Sequence, residues 1–307
     1  MLSPSDLLRL PYSPDLTEGG IAYALLSLRY GDFSWEKLQN TAARAVVEIA
    51  FRRFLFQQGV PFEARPAAPF SAPLRYDVYL GGRRCQLETL LVSSRRKISE
   101  LRKRPASLLK IPAPFPSDAG LQGHDLVLSA FLLALTAVPR SDLKRVIQNR
   151  QPHCLIAAPP PSWRSPRRWQ PLYPLALKSE ASAPLTLEIH GQNEAREALT
   201  DLISLPPKTR VETNAPFFSV AALRIQSVPD GRIGIHSPVL HDTRIIPPAG
   251  WRNVWLYGTD IFLAGYLTQQ DLQRRERGKT FSAAELKPLR EIFDRAREWN
   301  AARESVR

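Results

Sequence analysis

The sequence predicts a mixed α/β fold with two domains, and three observations support this expectation. The chain has 307 residues and 44% of them are hydrophobic, more than one minimal core requires. Helix-period and strand-period apolar patterns alternate along the first third of the chain. The remainder mixes short strand patterns with helix patterns. We therefore divide the chain into a first domain, residues 1–111, and a C-terminal α+β domain, residues 112–307.

The first helix is predicted over residues 34–59, SWEKLQNTAARAVVEIAFRRFLFQQG. Apolar residues recur there at i, i+3, i+4 and i+7, and the stripe consists of Val47, Ala50, Phe51 and Phe54. Gly59 follows as the stop signal.

Three strands and a second helix are predicted next. VPFEARP (60–66) is a short strand, and RYDVYL (75–80) and RCQLETLLV (84–92) form a hairpin across Gly81-Gly82. RRKISELRK (95–103) is a helix that ends before Pro105.

The rest of the chain gives a less regular pattern. LVLSAFLLALTAV (126–138) fits either a helix or a strand followed by a helix. NEAREALTDLISL (193–205) is predicted as a helix, and residues 217–237 as a hairpin that turns at Pro229-Asp230-Gly231. WRNVWLYGTDIFLAGYLT (251–268) predicts one or two strands. A final helix is expected over 282–300, with Ser282 and Glu285 in capping-box register.

Charge is the strongest bulk signal. The formal net charge is +13 and the isoelectric point is about 10.1. Such a field attracts polyanions, and nucleic acid is the partner we expect, with DNA favoured over RNA. The same charge is also compatible with a basic surface that aids solubility, or with one that faces a ribosomal or membrane neighbour.

Location and redox state follow from composition. No run reaches the roughly 18 apolar residues of a membrane helix, and the first residues, MLSPSDLLRLPYSPD, do not read as a signal peptide. We expect a cytoplasmic protein with no membrane partner. Cys85 and Cys154 are too few for a disulfide framework, and we expect both to be reduced and buried.

Two carboxylates lie inside the predicted hairpin, Asp77 in its first strand and Glu88 in its second. Side chains alternate along a strand, so acids on neighbouring strands can face one point. Carboxylates that share a Mg²⁺ ion beside a phosphate support phosphodiester hydrolysis, because the ion activates water and neutralises charge.

The order of elements resembles the PD-(D/E)XK, restriction-endonuclease-like nuclease core over residues 34–105. Glu48 in RAVVEIAFRRFL matches the helix acid, GVPFEARP the first strand, Asp77 the motif aspartate, and Glu88 the second acid. The resemblance implies a Mg²⁺- or Mn²⁺-dependent nuclease. It implies that Asp77 and Glu88 hold the metal, that Glu48 assists and that Gln86 orients the water.

One departure from the family pattern is clear. The strand lysine of the motif would stand at position 90, where this chain has Leu90. A second register places Gln86 and Glu88 at the glutamate and lysine positions. Lys97 or Arg96, from the following helix, is expected to supply the missing charge. The alternative is a non-catalytic nucleic-acid-binding or scaffolding subunit on the same fold.

A purely structural role is possible for each acid. Glu48 fits an ion pair with Arg44 or Arg52 at four residues' distance. Asp77 fits a strand cap or a salt bridge to Arg75, and Glu88 fits the exposed face of an edge strand.

A basic patch predicts where a nucleic-acid backbone would lie. Its members are Arg83, Arg84, Arg95, Arg96, Arg102, Lys103 and Arg104. The same residues also fit a solvated helix face. WRSPRRW (163–169) offers arginines beside two tryptophans that could stack on bases. A protein partner, on the aromatic segment 251–267, or a homodimer remains a further expectation.

Overall fold

The protein is described by a computed structural model that covers residues 2–27, 34–66, 76–114, 125–136, 148, 153–164, 173–253, 256–273 and 281–305. For residues 65, 66, 76, 77, 257 and 259 it describes the backbone alone. The expected mixed α/β class is confirmed. The chain forms two compact units. Unit 1 comprises Met1–Gly20, Asn40–Thr136 and Leu256–Arg307, and unit 2 comprises Ile21–Gln39 and Ala137–Trp255.

Unit 1 is built on a six-stranded mixed sheet. Its strands lie in the order β1-β15-β5-β4-β3-β2. They span Leu8–Leu10 (β1), Glu63–Pro66 (β2), Tyr76–Leu80 (β3), Arg83–Val92 (β4), Leu126–Leu135 (β5) and Tyr257–Thr268 (β15). The pair β4–β5 is parallel and the other neighbours are antiparallel. The strands β1 and β15 therefore form one side of the sheet, and residues 63–135 supply the other four strands.

Two helices lie between β1 and β2 along the chain, α1 over Pro14–Ser27 and α2 over Trp35–Gln57. The α2 helix begins where predicted because the Ser34 hydroxyl accepts a hydrogen bond from the Lys37 amide at 3.0 Å. It ends in a Schellman motif: Gly59 has φ +59°, and the Val60 amide donates to the Leu55 carbonyl at 2.9 Å.

The β3–β4 hairpin confirms the diglycine prediction. Gly81 and Gly82 have φ values of +55° and +74°, which a type I′ turn requires at both central positions. The turn fixes the register, with Leu80 opposite Arg83 and Val78 opposite Cys85. Val78, Leu80, Cys85 and Leu87 are buried, so one face of the hairpin is in the core.

A crossover links β4 to the parallel strand β5. It contains helix α3, Arg95–Lys103, and a 3-10 turn, Pro105–Lys110. The helix buries only Ile98 and Leu101, because its other positions are charged or polar. Residues 126–135, for which the pattern fits both helix and strand, form a strand that is buried almost throughout.

The end of the chain differs from the expected single helix over 282–300. Ala283–Glu285 is a separate 3-10 turn, and helix α6 runs from Arg290 to Ser305. Pro288 explains the break, since it has no amide hydrogen to donate within a helix. Ser282 makes no side-chain cap bond to the turn. A short helix, α5 (Gln269–Gln273), follows β15.

Unit 2 contains two antiparallel sheets around one apolar core. The five-stranded sheet has the order β14-β6-β11-β8-β9 and the four-stranded sheet the order β10-β7-β12-β13. The strands span Leu155–Ala157 (β6), Ala176–Ser179 (β7), Leu185–Gln192 (β8), Ala198–Leu205 (β9), Arg210–Glu212 (β10), Ser219–Ile225 (β11), Ile233–Ser237 (β12), Asp242–Ile246 (β13) and Arg252–Asn253 (β14). A one-turn helix, α4 (Pro161–Arg164), and a 3-10 turn, Pro248–Gly250, complete the described elements.

Two sequence predictions in unit 2 are wrong. The expected helix over 193–205 is largely the strand β9, whose residues pair with β8 and alternate between exposed and buried. Tertiary pairing outweighs the helix propensity of its alanines and leucines. The expected hairpin at residues 229–231 does not form either, because β11 and β12 belong to different sheets. β12 pairs instead with β7 and β13.

Both cysteines are free and buried, as predicted. Burial raises the pKa of the Cys85 thiol to about 12 and that of Cys154 to about 11, because the interior disfavours the thiolate. Within the described residues, no helix is both long enough and apolar enough to span a bilayer.

Candidate metal and nucleic-acid site

Glu88 lies in the middle of β4 with its carboxylate held on two sides. Gln86, two residues earlier on the same strand face, donates a hydrogen bond from Nε2 to Glu88 Oε1 at 2.7 Å. Arg44 Nη2, from α2, lies 3.5 Å from the same oxygen. The Glu88 side chain is 17% exposed, so it is not the solvated acid of an edge strand. β4 is a central strand with β3 and β5 on either side.

Glu48 comes to the same place from the helix. Its Oε1 lies 3.5 Å from Arg44 Nε one turn away on α2, and its side chain is 12% exposed. The ion pair with Arg44 that the four-residue spacing allows is present. Arg44 also contacts Glu88, which the helix pattern alone could not predict. One guanidinium joins the helix acid to the strand acid.

The sequence therefore predicted only one of the two ion pairs of Arg44, the pair with Glu48. The Arg44 side chain is 30% exposed, and its Nε and Nη2 atoms have no hydrogen-bond partner of good geometry, although both face carboxylates. The group is an ionic cluster of Arg44, Glu48, Glu88 and Gln86, which we call the α2–β4 cluster. With two carboxylates and one guanidinium, it carries a formal net charge of −1.

The side chain of Asp77 lies outside the described part of the chain. Its backbone belongs to β3 and pairs with Arg65 of β2. Asp77 is followed in β3 by Val78, whose partner is Cys85 in β4. The expectation that Asp77 and Glu88 share a cation therefore remains a prediction.

Lys97, the expected substitute for the strand lysine, lies one turn into α3. It lines a hollow of about 520 Å³ together with the end of β4, residues 90–94, and Lys110. Glu88 is not among the residues that line this hollow. Among the described residues, Arg44 contacts both Glu48 and Glu88, whereas Lys97 and Arg96 contact neither.

The predicted basic patch divides into two groups. The solvent face of α3 and the turn after it expose a dense set of cations, with Glu100 as the single acid in residues 95–110. These cations are Arg95, Arg96, Lys97, Arg102, Lys103, Arg104 and Lys110. We call this set the α3 surface.

Arg84 and Arg102 have structural contacts in addition. Arg84 Nε donates to Asp125 Oδ2 at 3.2 Å, which ties β4 to the start of β5. Arg102 Nε lies 3.0 Å from Asp260 Oδ2, and Arg9 Nε donates to Asp260 Oδ1 at 2.7 Å. Arg83 is half-buried beside the hairpin turn.

The buried acid Asp260 is a residue that the sequence patterns did not bring out. Its side chain is 2% exposed within β15, and arginines from β1 and α3 neutralise it. The signal was present, because an aspartate inside YGTDIFLAGY cannot be buried without partners.

The two aromatic segments expected to make contacts are largely internal where they are described. Trp163 is buried and donates from Nε1 to Asp242 Oδ2 at 2.9 Å, so it is not a stacking platform. Residues 165–169 of WRSPRRW lie outside the described residues. In the segment 251–267, Trp251, Phe262 and Tyr266 are buried.

The oxygen donors of the α2–β4 cluster suit a hard cation such as Mg²⁺. Arg44 lies against both carboxylates, so a metal there would share them with a guanidinium. No group of three or more histidine, cysteine, aspartate or glutamate side chains with metal-binding geometry occurs among the described residues.

Comparisons with known proteins identify no relative. No family model, no curated protein and no solved structure matches this chain.

Proposed function

We propose that this protein is a metal-dependent, endonuclease-like enzyme that hydrolyses phosphodiester bonds of nucleic acid, with DNA preferred. The contact of Glu48 and Glu88 through Arg44 carries the proposal. It occurs in a helix, an antiparallel three-strand meander, a second helix and a parallel strand. This is the element order that the PD-(D/E)XK resemblance implies for residues 34–105, with a fourth strand added.

In the proposed site, Asp77 and Glu88 hold a Mg²⁺ or Mn²⁺ ion, and Glu48 lies in support. When bound, the ion supplies an activated water and neutralises the phosphate. Gln86 fixes the orientation of the Glu88 carboxylate through their 2.7 Å hydrogen bond. Arg44 takes the role expected of Lys97, a cation beside the acids that stabilises charge developing on the phosphate.

The α3 surface gives the proposed enzyme its hold on the nucleic-acid backbone. Its cations are exposed and lie on one crossover that follows β4 directly. Contacts of this kind neutralise phosphates and do not read bases. The proposal therefore includes binding that depends strongly on salt and weakly on sequence.

A specific observation favours a second function, a non-catalytic nucleic-acid-binding or scaffolding subunit. Arg44 already offsets one of the two negative charges of Glu48 and Glu88, and Leu90 stands where the strand lysine belongs. An ionic cluster of this kind ties a helix to a strand without any metal. The basic surface would then be the functional part of unit 1.

The two functions separate in one experiment. Purified protein is incubated with plasmid, single-stranded DNA and RNA, with and without Mn²⁺, and Mn²⁺ binding is measured by calorimetry. The enzyme predicts Mn²⁺-dependent cleavage and Mn²⁺ binding that Glu88→Gln abolishes. Glu285→Gln, an exposed acid of the same unit, is the control and is expected to leave both unchanged. Salt-dependent binding without cleavage or Mn²⁺ affinity would establish the non-catalytic function instead.

A further inference from the structure

The outer face of the four-stranded sheet in unit 2 carries a hollow of about 330 Å³. One row of cross-strand partners runs through it: Arg210 opposite Lys178, Lys178 opposite Gly234, and Gly234 opposite Ile245. The inner face of the same strands packs in the core through Leu177, Ile233 and Ile235. The hollow therefore lies on a rigid support.

Gly234 is the reason that the hollow exists. It is the second residue of β12, which has strands on both sides, and a side chain there would normally cover the sheet. A Cβ atom added there would meet only the Lys178 carbonyl, 3.9 Å away. Its φ lies outside the left-handed region, so the strand does not need glycine for its conformation. The hollow over Gly234 is therefore due to the absence of a side chain, and the backbone conformation does not explain the choice of glycine.

The charges around the hollow favour an anion. Lys178 and Arg210 lie directly opposite each other on neighbouring strands, and like charges in this arrangement are destabilising. Arg210 has Glu212 at 3.1 Å, whereas Lys178 has no ion-pair partner among the described residues. Arg232, at the edge of the hollow, is paired with Glu180. A phosphate between Lys178 and Arg210 would relieve their repulsion.

The remaining walls suit a flat ring. His236 follows Gly234 on the same face of β12, and its Nδ1 is 2.9 Å from the Thr243 hydroxyl, which fixes the imidazole. Ile245, the cross-strand partner of Gly234 on β13, is 54% exposed, an unusual exposure for a large apolar side chain. Imidazole and aliphatic surfaces on either side of an open backbone can hold a base by stacking and packing.

We propose that this hollow binds one nucleotide of a single-stranded nucleic acid. The phosphate lies between Lys178 and Arg210, and the base lies over Gly234 between His236 and Ile245. A base that enters the hollow must be unpaired and unstacked, so a duplex does not fit. An acidic peptide would use the cations but has no need of the space over Gly234. The site lies within unit 2 and does not depend on the α2–β4 cluster.

The test measures binding of a short fluorescent single-stranded oligonucleotide by anisotropy, in EDTA so that no metal-dependent cleavage occurs. Gly234→Thr fills the hollow without a change of charge, and threonine is favourable in a strand. Lys178→Gln removes the phosphate contact. Each is made in the full chain and also in an Arg96→Gln/Lys103→Gln background, so that binding to the α3 surface does not hide the change.

We expect both variants to weaken binding by about tenfold, as for the loss of one stacked base or one phosphate contact. Arg196→Gln removes a charge from the β8–β9 turn of the other sheet and is expected to have little effect. Poly-glutamate and inorganic phosphate are not expected to displace the oligonucleotide at matched ionic strength. Unchanged affinity in Gly234→Thr, or equal competition by poly-glutamate, would overturn the proposal and leave only a cationic surface.

Discussion

Arg44 Nη2 lies 3.5 Å from Glu88 Oε1 and thereby links helix α2 to the central strand β4. The same guanidinium faces Glu48 at 3.5 Å, so two largely buried carboxylates share one cation. Without Arg44 the acids would repel each other in a site with little water. The contact therefore ties the helix to the strand. Metal binding by the two acids is what would distinguish the proposed enzyme from a non-catalytic protein with the same ionic cluster.

The first prediction concerns Arg44. Arg44→Ala removes the guanidinium that both acids face and is expected to lower the free energy of unfolding by roughly 1–3 kcal/mol, measured in urea. Mn²⁺ is expected to restore part of this loss, because the ion replaces the missing charge. Arg44→Lys keeps the charge, and its free energy of unfolding should lie between those of the wild type and Arg44→Ala. A destabilised Arg44→Ala protein that does not respond to Mn²⁺ would contradict a metal role for the acids.

The second prediction concerns the α3 surface. Arg96→Gln/Lys103→Gln is expected to weaken binding to random-sequence DNA and to reduce the slope of log affinity against log salt by about two, one per phosphate contact. Both side chains are exposed, so the fold should be unaffected. Arg297→Gln on α6 removes a charge that is paired with Asp294 and is the matched control. An unchanged slope would place the DNA elsewhere on the protein.

The third prediction concerns Asp260. Asp260→Asn keeps the shape but removes the charge that two arginines share, and we expect a loss of about 1–3 kcal/mol in unfolding free energy. Arg9 and Arg102 are more than half exposed, so water can solvate them again and limit the loss. Arg9→Gln should cost less, because Arg102 remains. Equal stability of Asp260→Asn and wild type would show that the ion pairs are not stabilising.

The fourth prediction concerns alkaline pH. The pKa values of the Cys85 and Cys154 thiols are raised by burial to about 12 and about 11, from an ordinary value of 9.0. Between pH 9 and the raised pKa of each thiol, the unfolded chain loses a thiol proton that the folded chain keeps. The contribution of the buried thiols to the free energy of unfolding should therefore be fully present below pH 9. Above pH 9 the free energy of unfolding should fall by up to about 1.4 kcal/mol per pH unit for each thiol.

The control for this pH dependence is Cys85→Ala/Cys154→Ala, in which the fall above pH 9 should be shallower. Tyr12 and Tyr266, whose pKa values burial also raises, are present in both proteins, so their contribution cancels in the comparison. The measurement is urea unfolding at intervals from pH 8 to pH 10.5. Identical pH profiles would mean that the thiols ionise as readily in the folded state as in the unfolded one.

Local signals predicted the elements of unit 1 well. Gly59 and the glycine pair at 81–82 have short-range roles as a stop and a turn, and each acts as the sequence indicates. Pro288 was also a local signal for a break in the last helix, but the helical periodicity after Ser282 favoured one continuous helix. Unit 2 was harder, because strand pairing between distant segments decided the state of residues 198–205.

The pairing of Arg44 with Glu48 could be predicted from the sequence, but the contact of Arg44 with Glu88 could not. A helix position four residues from Glu48 indicated the Arg44 pair, whereas the contact with Glu88 spans 44 residues and depends on how α2 meets the sheet. Glu88, which lies inside an apolar run, has Gln86 and Arg44 as partners and is not the exposed acid of an edge strand. Nothing local could choose between Lys97 and Arg44 as its cation.

The interrupted course of unit 1 has a consequence for the newly made protein on the ribosome. β4 emerges early, but its sheet partner β5 needs residues 126–135, and β15, which joins β5 to the N-terminal strand β1, needs residues 257–268. The boundary expected at residue 111 would cut between β4 and β5 and leave β4 as an open edge, which invites aggregation. Leu8–Leu10 therefore lack their partner strand until residues 257–268 have been translated.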